Sequence, residues 1–156
     1  WFLVICGAKI GCTTGPGVGF AGVGAFGISM SEMSACKRKE WPSITMVIFR
    51  NYQWGAEKRN SILWFDDNFV GTELDPELSF AKVAEGCGLK GVQVRTQEEL
   101  TKALKESCTT QKDGVTTFIE VILNQELGET FRRDAMTKPV TVAGINKGDM
   151  KPQNSQ

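Results

Sequence analysis

The sequence predicts an α/β fold, a parallel sheet flanked by helices on both faces. Three observations carry this reading. Apolar, β-branched runs such as "SITMVIF" and "VTTFIEVIL" lack polar alternation, as expected of strands covered on both sides. Segments with helix-start signals separate these runs, so strands and helices alternate. A glycine-rich stretch, "GVGAFG" (Gly22 to Gly27), follows the first strand-like run, at the carboxyl end where such sheets bind ligands.

The elements follow in order. The opening "WFLVICGA" is far shorter than the roughly 20 apolar residues of a spanning helix and lacks the charged start of a signal peptide. The chain begins at Trp1 inside this run and reads as a fragment or a cut domain. Val18 to Ala21 is the first strand. Ile28, Met30, Met33 and Cys36 recur near helical spacing. They are followed by Lys37, Arg38 and Lys39, whose charge suits the negative end of a helix, so a helix is expected over Ile28 to Lys37. Trp41-Pro42 breaks it, and Ser43 to Phe49 is the second strand. "RNYQWGAEKRN" leaves that strand as a loop turning toward a helix or an irregular segment.

Asp75-Pro76-Glu77 offers a capping side chain, a proline for the first helical position and an acid. It predicts a helix over Pro76 to Glu85. Gly91 to Val94 is a short strand. Thr96 and Glu99 form a capping box for a helix over Gln97 to Ser107, with Leu100, Ala103 and Leu104 on one face. Asp113-Gly114 turns into the last strand, Val115 to Leu123. The chain is polar and irregular from Asn124, and we divide it into one domain over 1–145 and a polar tail over 146–156.

Composition narrows the function. Lys+Arg and Asp+Glu number 18 each, so no basic excess points to nucleic acid or to a membrane surface. The five cysteines are scattered and form no CxxC pair, which argues against a disulfide scaffold or a zinc site and for a reducing, cytoplasmic setting. They read mostly as small buried thiols. The chain has no histidine, which removes Ser-His and Cys-His dyads, so any catalysis here relies on a cofactor.

The glycine stretch has three readings. As a tight turn it holds nothing. As a phosphate cradle it combines close backbone approach with free N–H groups at a helix start. As a dinucleotide fingerprint it needs an acid about 20 residues on. The next strand instead ends at Phe49-Arg50-Asn51, about 28 residues after Gly22, with no acid there. Asn51 is suited either to forming a turn or to giving a side-chain oxygen to a hard cation such as Mg²⁺, with carbonyls of the following turn adding more.

With both strand ends in view, the sequence resembles the C-terminal, diphosphate-binding domain of thiamine diphosphate-dependent enzymes, marked by Gly-Asp-Gly and, some two dozen residues later, Asn-Asn. Here the two places read "GVG" and "RN". More narrowly, "GAFGISMSEMSAC", "NYQWGAEKRN", "AEGCGLKG", "TTFIEVILNQELGETFRRDAM" and "KPVTVAGI" look like the sulfoacetaldehyde acetyltransferases of that family. The resemblance implies a thiamine diphosphate-binding fold and a role in converting sulfoacetaldehyde and phosphate to acetyl phosphate and sulfite. It implies that Gly22, Gly24, Ala25, Phe26 and Gly27 hold the cofactor diphosphate. Asn51 and the carbonyl of Gln53 would hold Mg²⁺, and Glu57 falls near positions that face the reacting carbon. It implies a homo-oligomer, at least a dimer, in which another domain supplies the glutamate that activates the cofactor, so that the fragment alone is inactive. Val23 stands where the family has its metal-binding aspartate, Arg50 where it has the first asparagine, and Phe26 where those enzymes carry tryptophan. These departures leave a second reading open: an assembly module that has lost its metal site.

Overall fold

A computed structural model describes residues 2–12 and 14–126 of the chain. The expected boundary at 145/146 and the polar tail lie outside these residues. Contacts divide the chain into two units. The first, up to Tyr52 and again from Asp75 to Asn124, holds the sheet. The second holds Gln53–Leu74 with Gln125 and Glu126.

The first unit runs α1 (Phe2–Gly11), β1 (Val18–Gly22), α2 (Val23–Gly27), a 3-10 helix (Met30–Lys37) and β2 (Thr45–Arg50). After the excursion into the second unit it continues with α4 (Phe80–Gly86), β3 (Lys90–Val94), α5 (Gln97–Thr110) and β4 (Thr117–Ile122). The four strands are all parallel, in the order β1-β2-β4-β3. The expected strands are therefore present, shifted by one or two residues at their ends.

Side-chain alternation divides the sheet between two covers. On one face Val47, Ile119, Val121 and Val94 pack with Ala103 of α5, and Leu100 and Leu104 lie against them. On the other, Phe26 of α2 meets Phe118 at 5.9 Å and Phe80 of α4 at 5.4 Å, the latter edge to face. A Cβ on Gly91 would sit 2.1 Å from the Ala81 carbonyl oxygen, so α4 rests directly on the backbone of β3. Helices thus cover both faces. Toward β1 the α5 face is open among the described residues, where Phe20 and Phe49 stack at 6.2 Å with Phe20 56% exposed.

Two helix expectations need correction. No single helix spans Ile28 to Lys37. The glycine stretch itself is helical over Val23–Gly27, Ile28 is its C-cap, and a 3-10 helix follows. Local spacing did not show that a helix could begin on Val23, because glycines at both ends of the stretch read as a loop. The helix expected at Pro76 begins at Phe80 instead, capped by Ser79. Asp75 does bond the N–H of Glu77 at 2.7 Å, but the carbonyls of Asp75 and Pro76 accept from Arg50 at 3.0 Å each. A helix starting at Pro76 would have needed those carbonyls for its own turn. The α5 capping box is as expected. Of the five cysteines, Cys6 and Cys36 are buried, Cys12 is exposed, and Cys87 and Cys108 are intermediate, so the reading of mostly buried thiols holds for only two.

In the second unit, α3 (Gly55–Trp64) follows "NYQW". Gln53 and Glu73 form an isolated antiparallel bridge, closed by the Trp54 N–H donating to the Thr72 carbonyl at 2.7 Å. Lys58 lies 2.5 Å from Glu73 and over the ring of Phe69.

Candidate cofactor site

Gly22 and Phe49 are register partners on neighbouring strands. The chain leaves β1 at Gly22 and β2 at Arg50, so the glycine stretch and Asn51 emerge side by side, at the carboxyl ends of strands about 5 Å apart. Gly22 caps α2 with extended backbone (φ −77°, ψ 168°) and no side-chain cap bond. The first N–H groups of α2, on Val23, Gly24 and Ala25, therefore have no intrahelical acceptor. A Cβ on Gly22 or Gly27 would meet nothing within 4 Å, and neither glycine has a positive φ. The fold does not itself demand glycine there. The missing side chain at Gly22 leaves room beside an uncapped helix start, a fit for a diphosphate, while Gly27 closes the helix at its other end.

Phe26 departs from its expected role. Its ring is fully buried between Phe80 and Phe118, so only its backbone is left for a ligand. Val23 is buried and apolar. It offers no oxygen, and among the described residues no group of three or more His, Cys, Asp or Glu is placed to hold a metal. The diphosphate half of the expected site fits these residues, and the metal half lacks its carboxylate.

The other candidates are placed as follows. Asn51 is half-buried directly after β2. Gln53, in the second unit, has a buried side chain whose Nε2 donates to the Gln125 carbonyl at 2.7 Å, while its Oε1 has no partner among the described residues. Its backbone carbonyl is not used by the bridge to Glu73, which Trp54 and Thr72 close. Glu57 is exposed in the first turn of α3.

Sequence reasoning missed the support beneath Asn51. Arg50 is 3% exposed and Glu120 of β4 is fully buried, and Arg50 Nη1 donates to Glu120 Oε1 at 2.8 Å. Arg50 Nη2 holds the two carbonyls at 75 and 76, and its guanidinium lies 4.6 Å from the ring centre of Tyr52. The other carboxylate oxygen, Oε2, accepts from Ser79 Oγ at 2.7 Å, the Ala81 N–H at 3.2 Å and Gln93 Nε2 at 3.4 Å. Burial pushes the Glu120 carboxyl up, but the bonds from Ser79, Ala81, Arg50 and the Phe80 N–H outweigh it and hold it below the usual carboxylate range. Tyr52 takes a left-handed backbone (φ 59°), an uncommon conformation for a side chain of that size, so the chain turns sharply just after Asn51. The available signal was one charge of each sign inside two otherwise apolar strands, Arg50 in "TMVIFR" and Glu120 in "TFIEVI".

Comparison with known proteins identifies the family of this fold. The family described as thiamine pyrophosphate enzyme, C-terminal TPP binding domain, matches residues 4–121. A probable sulfoacetaldehyde acetyltransferase of Rhizobium meliloti (strain 1021) is 68% identical over 97% of this chain and 26% of its own length. A sulfoacetaldehyde acetyltransferase of Rhodobacter capsulatus is 66% identical over 96% of this chain and 25% of its own. The chain thus spans about a quarter of the length of these relatives. A solved structure, benzoylformate decarboxylase from Polynucleobacter necessarius, superposes with a TM-score of 0.69 over 81% of this chain and 23% of that one, at 24% identity, a likeness of fold. Among the described residues, no helix is long and apolar enough to cross a membrane.

Proposed function

Because the chain belongs to the thiamine pyrophosphate enzymes, as their C-terminal cofactor-binding domain, we propose that it forms the diphosphate-holding part of a sulfoacetaldehyde acetyltransferase. That enzyme turns sulfoacetaldehyde and inorganic phosphate into acetyl phosphate and sulfite. The observation that carries the reading is the uncapped start of α2, with open space at Gly22 and set beside the end of β2. When bound, thiamine diphosphate supplies the carbon nucleophile for the aldehyde. The chain's own part would be to bind and orient: the N–H groups of Val23, Gly24 and Ala25 would hold the diphosphate, and Arg50 fixes the turn that carries Asn51. Asn51 would offer its side-chain oxygen to Mg²⁺, and Val23 stands where the family's carboxylate would join it. The same reading makes the working enzyme cytoplasmic and at least a homodimer, with a small aldehyde and phosphate as its partners.

Val23 favours a second reading, a module of this fold kept for assembly after losing its metal site. Calorimetric titration of the full-length enzyme and of its Val23→Asp variant with thiamine diphosphate, with and without Mg²⁺, separates the two. If the backbone cradle is intact, both proteins bind the cofactor, and Val23→Asp gains about 1.5–3 kcal/mol only when Mg²⁺ is present, the scale of a charged group's contact. No binding by either protein would leave the assembly module as the reading. A gain independent of Mg²⁺ would mean that position 23 does not face the metal.

A further inference from the structure

A parallel sheet has two unlike ends, and the glycine stretch occupies only one. At the other end, the starts of β2, β3 and β4 meet the close of the 3-10 helix around a cavity of about 430 Å³. Its lining includes Lys37, Arg38, Lys39, Lys90, Trp41 and one carboxylate, Asp113. Lys90 is paired with Glu106 at 2.5 Å, whereas no ion pair joins Lys37, Arg38 or Lys39 to a carboxylate among the described residues. Helix ends explain part of this charge, since the carbonyls closing the 3-10 helix and α4 each favour a nearby cation. Three cations around one cavity, with no ion pair among the described residues, exceed that need.

The arrangement is built as well as charged. The Lys37 stem lies over Gly88, with Cε 3.3 Å and Nζ 3.8 Å from where a Cβ would stand, and Gly88 has a φ of 75°. A side chain at 88 would be strained by that φ and would nudge the Lys37 stem. Trp41 is half-buried in the same wall and offers a flat apolar surface beside the cations. The volume falls in the range of small-molecule sites and far exceeds what a lone phosphate fills.

We propose that this pocket binds a nucleoside polyphosphate, its phosphates held by Lys37, Arg38 and Lys39 and its base lying against Trp41. The site is separate from the cofactor site, because the two lie beyond opposite ends of the same strands. It does not depend on the proposed reaction.

The test is calorimetric titration of the 156-residue chain, free of Mg²⁺ and at fixed salt, with ATP in one arm and inorganic tripolyphosphate in the other. ATP is expected to bind more tightly than tripolyphosphate. Lys37→Glu/Lys39→Glu should weaken both at least tenfold, Trp41→Leu should weaken only ATP, and Lys82→Glu should change neither. ATP affinity should be the same when thiamine diphosphate is present in excess. Thermal melts followed by circular dichroism establish that each variant is folded, and Lys39→Gln, with a smaller loss in the same direction, stands in if the double reversal is not. No ATP binding at millimolar concentration overturns the proposal. So does binding that folded lysine variants leave unchanged, or that thiamine diphosphate competes away. Equal binding of ATP and tripolyphosphate, unaltered by Trp41→Leu, overturns the nucleotide and leaves a simple anion site.

Discussion

A buried charge is stable only when the groups around it are matched, and Arg50 and Glu120 meet that condition through bonds shared among β2, β3, β4, α4 and the loop before it. Removing one partner strands the other. Glu120→Ala is expected to cost about 3–5 kcal/mol in urea unfolding, whereas Arg50→Met/Glu120→Leu should cost less than the sum of the two single changes. Additive losses would show that the pair is not coupled. Gly91 is a different kind of constraint, set by space. A methyl there would press on the backbone of Ala81, at 2.1 Å from its oxygen and 2.7 Å from its carbon, and backbone cannot rotate away. Gly91→Ala should destabilise by about 1–3 kcal/mol, the usual cost of overpacking. An unchanged unfolding midpoint would mean that α4 shifts freely on β3.

Two helices start on hydroxyl caps that do unequal work. Thr96 accepts from the Glu99 N–H at 3.2 Å, and Glu99 returns bonds to the N–H groups of Arg95 and Thr96, all at an exposed end. Ser79 accepts from the Lys82 N–H at 3.3 Å and also donates to the buried Glu120 at 2.7 Å. Thr96→Ala should therefore cost about 1 kcal/mol, the ordinary value of a cap. Ser79→Ala should cost clearly more, because it also strips a donor from a buried carboxylate. Equal losses in denaturant titrations would show that the Ser79–Glu120 bond adds nothing to the cap. The same element decides where α4 begins. "DPEL" carries every local sign of a helix start, and Arg50, 25 residues earlier in the chain, takes the carbonyls that such a start requires.

For the molecule as a whole, the buried carboxylate sets how stability responds to acid. Glu120 titrates below its unfolded value of about 4.3, so its contribution is complete above that pH and is lost as pH falls through the lower folded value. Glu73 and Glu106 are also lowered, by hydrogen bonds from Lys58 and Lys90, but both are exposed and their pairs are screened by salt. Stability measured from pH 7 down to pH 2 should fall below pH 4.3. Glu120→Gln should flatten that limb while lowering stability at pH 7. Salt should weaken only the Glu73 and Glu106 share. A Glu120→Gln profile parallel to that of the parent chain would place the acid sensitivity elsewhere.

By itself the sequence determined what depends on neighbours along the chain. The two central strands follow from apolar β-branched runs, α5 from its capping box, and the sheet end expected to hold a ligand from glycines placed after a strand. The family is legible in segments such as "QWGAEK", which no general rule of folding requires. The tertiary structure decided what depends on residues far apart. It placed β4 between β2 and β3, which brought Arg50 against Glu120 and made a buried ion pair of two charges that looked out of place in their own strands. It folded the glycine stretch into α2 and turned Phe26 into the core, because a ring packed between Phe80 and Phe118 escapes water more fully than one left at the site. Spacing along a chain records local hydrogen bonding and periodicity. Which buried charge finds which partner, and which ring is covered, depends on how the strands are ordered in space.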